Sequence, residues 1–221
     1  MTAKFDIITF DCYGTLIDWE TGLSDAFQVA AGEAGHGLAK EAIIKAYHEV
    51  EPVVEGESYL PYRDVLSETA RRVARTFGWT LNDAQTGLLA DSLAVWMPFA
   101  DTNTALERLK GAGYRLGILS NVDNDLLAGT LRHFTVPFDL VITAQQVHSY
   151  KPELGHFVAA RKAIGESRWL HAAQSYFHDV VPAAAMKIPV AWINRTSQPP
   201  LGEARADFEF SDLTGFAEQL A

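Results

Sequence analysis

From Pro98 to the C-terminus, short apolar runs alternate with segments of helical spacing, and few folds accommodate that order. Residues 104–111 read as a helix and 115–119 as a strand ending in Ser120-Asn121. Residues 126–133 are helical and 139–143 form a strand. Pro152 suits the first turn of a helix running to about Ile164, because its missing N–H costs nothing there. Residues 175–178 have strand character, 182–186 start a helix, 190–193 form a strand and 208–210 a short one. With the apolar run 5–10, these units predict an α/β fold: a doubly wound, mainly parallel sheet covered on both faces. In such sheets ligands bind beyond the carboxyl ends of the strands.

Between residues 23 and 97 the pattern changes to helical spacing throughout. Leu23, Phe27 and Ala30 mark one helix, and Ile43, Ile44 and Tyr47 a second. Val65, Leu66, Val73 and Phe77 mark a third, and Leu88, Leu89, Leu93 and Trp96 a fourth. Asn82 and Gln85 are spaced as a capping box opening that fourth helix. Gly35, Gly37, Gly56 and Gly78 read as stops or turns. The expected organisation is a catalytic core of residues 1–16 and 97–221, with 17–96 inserted as a helical subdomain.

Composition narrows the function. A net charge of −10 over 221 residues argues against a nucleic-acid surface. The single cysteine, Cys12, excludes an internal disulfide framework, and as the neighbour of a strand-end acid it is expected in the core. No apolar stretch approaches the roughly 20 residues that span a bilayer. The first strand begins within a few residues of Met1, leaving no room for a signal peptide, so the expected location is the cytoplasm. A hydrophobic helix of the inserted subdomain suits a homodimer contact.

The strand-end rule gathers scattered residues into one group. Asp11, Ser120, Asn121 and Asp179 each follow a proposed strand, and Lys151 stands on the loop before Pro152. A nucleophilic carboxylate, a hydroxyl–amide pair, a cation and a second carboxylate at one edge can attack an electrophilic centre and hold an anion. His156 and His171 read as surface or helix-end residues.

Four segments carry a resemblance. Asp11-Cys-Tyr-Gly-Thr15, Ser120-Asn121, Lys151-Pro152 and His178-Asp179 match, in order, the four motifs of the haloacid dehalogenase superfamily, and the helical stretch matches its cap. The resemblance spans nearly the whole chain and implies a Rossmann-like core. Phosphatases of that superfamily place a second Asp two residues after the nucleophile. Here Tyr13 stands there, and an unperturbed tyrosine, titrating near ~10, cannot shuttle a proton at neutrality. Four residues after Asp179 stands Ala183 rather than another acid. The pattern therefore resembles the metal-independent 2-haloacid dehalogenases, which implies a small halocarboxylate substrate, no cofactor and no metal.

By that resemblance Asp11 attacks the carbon bearing the halogen, forming an ester that water then hydrolyses. Lys151 keeps Asp11 ionised and lowers its pKa. Tyr13, Thr15, Trp19, Ser120 and Asn121 bind or orient the substrate, and Asp179 holds Lys151 or positions the water. The chain departs from the family elsewhere. Its members carry a cap arginine about thirty residues after the nucleophile; here Lys40, Lys45 and Arg63 are the available cations. A tyrosine six residues after the motif lysine is Phe157, and a Ser-x-Asn before the last acid is Gln174-Ser175-Tyr176. The cradle is thus expected to be built differently. His178 is the expected general base for ester hydrolysis, with Glu20 orienting it. Two other classes stay open: a magnesium-dependent small-molecule phosphatase, and a non-catalytic metabolite-binding relative.

Overall fold

Ile7–Phe10 (β1) has four consecutive buried residues, the signature of a strand covered on both faces. The computed structural model describes residues 4–221 and continues with helices Trp19–Glu33 (α1), Lys40–Glu57 (α2), Tyr62–Thr76 (α3) and Leu88–Ser92 (α4), the last extended by a 3₁₀ turn through Val95. Then come Thr102–Gly111 (α5), Arg115–Ser120 (β2), Asn124–Thr130 (α6), Leu140–Thr143 (β3), Ala144–Val147 (α7) and Gly155–Ile164 (α8). Trp169–Ala173 (β4), Val181–Ala185 (α9), Val190–Ile193 (β5), Phe208–Phe210 (β6) and Leu213–Leu220 (α10) complete the chain.

All six strands are parallel, in the order β3-β2-β1-β4-β5-β6. The order reverses between β1 and β4, which is where a doubly wound sheet opens a crevice at its carboxyl edge. One face is packed by α8, whose Phe157, Ala160 and Ile164 fall at helical spacing against Ile7, Leu119, Ile142 and Trp169. β6 is the thin edge, with its middle residue, Glu209, exposed.

The chain divides into two units. The sheet and its helices take the chain through Asp18, then Pro98–Asn121 and His133–Ala221. The second unit is Trp19–Met97 together with Val122–Arg132, so α6 groups with the helices although its place between strands assigned it to the core. Close packing explains the grouping: a Cβ on Gly129 of α6 would lie 2.9 Å from Ala94 Cβ. Within this unit α1 buries Leu23, Phe27, Ala30 and Ala31, and α3 buries Val65, Leu66, Ala70, Val73 and Ala74.

Three local expectations are corrected. Residues 175–178 are not a strand; β4 ends at Ala173, and Tyr176–Val180 form a π-helical turn. Asn82 and Gln85 exchange the two hydrogen bonds of a capping box, at 3.1 and 3.0 Å, but they close a turn, and α4 begins only at Leu88. His156 and His171 are wholly buried, not at the surface.

Candidate active site

β1 stops at Phe10 and the chain turns at once. Gly14, at φ 97°, takes the left-handed conformation that costs glycine nothing, and its N–H donates to the Ile17 carbonyl at 2.8 Å. This loop turns Thr15 back on Asp11. Thr15 Oγ1 donates to Asp11 Oδ2 at 2.9 Å while accepting the Gln174 N–H at 2.9 Å. The Asp11 N–H donates to the Ala172 carbonyl at 3.1 Å, so the nucleophile candidate is tied to both strands at the switch point.

Lys151 arrives from the loop after α7. Its ammonium donates to Asp11 Oδ1 at 2.8 Å, Asp179 Oδ1 at 2.7 Å and the Leu119 carbonyl at 3.0 Å. Three donors meet three acceptors. Asn121 fixes the loop itself: its Oδ1 accepts the Lys151 N–H at 2.7 Å, and its Nδ2 donates to the Lys151 carbonyl at 3.1 Å. Its amide is thereby hydrogen-bonded to the Lys151 main chain through both of its polar atoms.

The two carboxylates differ in reach. The Asp179 side chain is 1% exposed and that of Asp11 11%, so Asp11 is the one a substrate can meet. Their proton affinities are driven apart. Burial pushes Asp11 above the usual carboxylate range and the charge of Asp179 adds to it, outweighing Lys151 and Thr15. Lys151 does lower the Asp11 pKa, as expected from sequence, but burial outweighs it. Asp179 is also penalised by burial, but Lys151 and a hydrogen bond from His171 hold it well below the usual range. Burial opposes the charge on Lys151 too, yet both carboxylates raise it. The ammonium stays protonated.

Two buried polar atoms of this group have no hydrogen-bond partner: Ser120 Oγ, at the end of β2, and Asp179 Oδ2. Leaving such groups unpaired costs about 1–3 kcal/mol each.

The haloacid dehalogenase-like hydrolase family model matches residues 5–173. The chain belongs to this family. The hydrolase is 29% identical to an (S)-2-haloacid dehalogenase of Pseudomonas putida over 196 residues, 85% of this chain and 84% of that one. It is 26% identical to an (S)-2-haloacid dehalogenase of Pseudomonas sp. strain YL over 218 residues, 96% and 92% of the two chains. Among solved structures, an L-2-haloacid dehalogenase from Xanthobacter autotrophicus with chloropropionic acid covalently bound shares its fold, with a TM-score of 0.83, 21% identity and 97% of each chain covered.

The remaining expected residues of the hydrolase fall in both units. Tyr13 is half-buried in the loop after Asp11, bridged through its backbone to Ile17. His178 lies on the π-helical turn with its Nδ1 3.1 Å from Ser175 Oγ. Burial lowers its pKa, so the ring is neutral at physiological pH. Trp19 and Glu20 open α1 in the helical unit, where Trp19 packs on Tyr47 and His48 with ring centroids 5.3 Å apart in both cases. The Glu20 carboxylate lies 3.9 Å from His48 Nε2. Of the three cap cations, Arg63 is committed to Asp91 and Asp125, Lys45 lies 3.9 Å from Glu49, and Lys40 donates to the Thr21 hydroxyl at 2.8 Å.

Two histidines belong to the site's framework. His156 Nε2 donates to the Ser120 carbonyl at 3.0 Å, and burial together with the charge of Lys151 lowers its pKa to about 4. His171 touches Asp179 directly, at 2.9 Å. A hydrophobic pattern cannot announce a buried histidine; only the register of its strand could have pointed to it. Among the described residues no three acids, histidines or cysteines lie close enough together to hold a metal ion. The two carboxylates nearest to such a role already share an ammonium, a poor donor set for magnesium.

Proposed function

We propose that this hydrolase removes halogen from short 2-haloalkanoic acids by double displacement on Asp11, without a metal. In the first step an Asp11 carboxylate oxygen attacks C2; a C–O bond forms as the carbon–halogen bond breaks, and halide leaves with the bonding pair. Lys151 and Thr15 each hold one Asp11 oxygen in place for that attack. Ser120 Oγ donates to the substrate carboxylate. In the second step water adds to the ester carbonyl and gives one proton to neutral His178. Collapse expels the 2-hydroxy acid, which takes that proton back, and Asp11 returns to its carboxylate after losing one proton to solvent. Asp179, through Oδ2, orients the water.

The observation that carries this reading is a reachable Asp11 sharing a buried ammonium with an unreachable Asp179, in a loop where Tyr13 replaces the second acid that phosphoryl transfer needs. The two Pseudomonas relatives named above are both (S)-2-haloacid dehalogenases.

The test is halide and phosphate release from chloroacetate, 2-chloropropionate and a phosphate-ester panel, each with and without EDTA. The expected result is halide release that survives EDTA and disappears in Asp11→Asn. Phosphate release that needs magnesium, with no action on any haloacid, would overturn the reading.

A further inference from the structure

His171 occupies the middle of β4, wholly buried, in register with Thr9 of β1. A buried imidazole must satisfy both ring nitrogens, and each here has one partner. Nδ1 lies 2.8 Å from Thr9 Oγ1, and Nε2 lies 2.9 Å from Asp179 Oδ1. The partners' chemistry locates the proton. An ionised carboxylate only accepts, so Nε2 carries a hydrogen. In the neutral ring Nδ1 then accepts from Thr9 Oγ1, which itself takes the Trp169 indole N–H at 2.7 Å. The outcome is a one-way run of donors from Trp169 to Thr9 to His171 to Asp179. Phe157 covers the ring edge-on, with centroids 5.2 Å apart and planes at 81°.

Asp179 receives both its donors on the same oxygen. Lys151 reaches Oδ1 from one side at 2.7 Å and His171 from another at 2.9 Å, while Oδ2 is buried with no partner. A carboxylate gripped by an ammonium alone can exchange its two oxygens by rotation. A second donor, fixed on a central strand, makes the oxygens inequivalent.

We infer that His171 is a positioning residue for the hydrolytic half-reaction: it pins Asp179 Oδ1 so that Oδ2 is held toward the water that attacks the Asp11 ester. This rests on the reading of Asp11 as an ester-forming nucleophile. The first half-reaction, which uses Asp11, Lys151 and Thr15, does not depend on the choice of Asp179 oxygen.

The test compares His171→Leu, His171→Gln and His171→Asn. A glutamine amide reaches about as far as Nε2 and can still donate to Asp179; an asparagine amide reaches only as far as Nδ1 and cannot. In rapid-quench kinetics with 2-chloropropionate, the leucine and asparagine variants release the first equivalent of halide at the wild-type rate. Their 2-hydroxy acid then appears about tenfold to a hundredfold more slowly, and the Asp11 ester accumulates in the intact-protein mass. The glutamine variant recovers most of the second step. Equal slowing of both steps, or glutamine and asparagine behaving alike, would overturn the inference. A substrate-free arm keeps the two readings apart: carboxyl ¹³C NMR follows the titration of Asp179, which rises in His171→Leu and returns in His171→Gln. Should wild-type protein release no halide at all, the dehalogenase reading fails, and an unmoved Asp179 titration would separately refute the role of His171.

Discussion

A lysine set between two buried carboxylates is expensive on three counts, since each group gives up its hydration. The arrangement is tolerated because every Lys151 N–H finds an acceptor and Thr15 and His171 answer two further lone pairs. Ser120 Oγ and Asp179 Oδ2 are left unanswered, and the proposed mechanism gives them the substrate carboxylate and the attacking water. Glu51 in the helical unit is a second acid held away from its ordinary behaviour. Burial raises its pKa from 4.5 to about 7, against a weak hydrogen bond from Tyr62, 3.4 Å away, and the pull of His48. The folded chain therefore keeps a proton on Glu51 that the unfolded chain releases near pH 4.5. Native stability contributed by this group is full below that pH and falls as pH climbs to about 7. Glu51→Gln removes the titration. Urea unfolding at pH 5 and pH 8 is expected to show the variant more stable by about 3 kcal/mol at pH 8 and by less than about 1 kcal/mol at pH 5. Parallel pH profiles for the two proteins would show that Glu51 is not the source.

At the scale of elements, legibility followed packing chemistry. β2, β3, β5 and β6 were readable because apolar runs with turn residues at their ends leave few alternatives. β4 was missed for the same reason that His171 was missed. Trp169-Leu-His-Ala-Ala places an imidazole and small side chains in a buried strand, while Ser-Tyr-Phe-His downstream has the aromatic character of one. The imidazole is stable inside only because Thr9 and Asp179, far away in sequence, meet both its nitrogens. The candidate site residues themselves were legible, since Asp11, Thr15, Ser120, Asn121, Lys151 and Asp179 lie in short motifs. Their division of labour was not: Asn121 serves Lys151, and Ser175 serves His178. The helical unit carries a sharper constraint in α1. A Cβ on Gly22 would sit 2.3 Å from the Trp96 ring, and that buried ring is held through its Nε1 by Ser92 at 3.1 Å. Helix propensity alone favours Gly→Ala by about 1 kcal/mol. Gly22→Ala is nonetheless expected to destabilise by about 1–3 kcal/mol in urea unfolding, because overpacking outweighs propensity. A variant as stable as the parent would show that Trp96 can move aside.

At the scale of the whole molecule, the charge balance bears on how the proposed anionic substrate would arrive. The chain carries 28 acidic and 18 basic side chains, a net charge of −10, and a haloalkanoate at neutral pH is itself negative. The cation at the centre, Lys151, is neutralised by two carboxylates and so attracts little at a distance. Long-range electrostatics therefore oppose encounter, and salt relieves the opposition once the Debye length, ~30 Å at 0.01 M, shrinks to ~8 Å at physiological ionic strength. The proposed ester chemistry would take place between buried groups that salt screens far less. For 2-chloropropionate, kcat/KM is expected to rise by about two- to threefold between low and physiological salt, with kcat unchanged. An uncharged analogue such as 2-chloropropionamide supplies the control and should show no rise. A kcat/KM that falls with salt would instead mean that a local positive field steers the substrate.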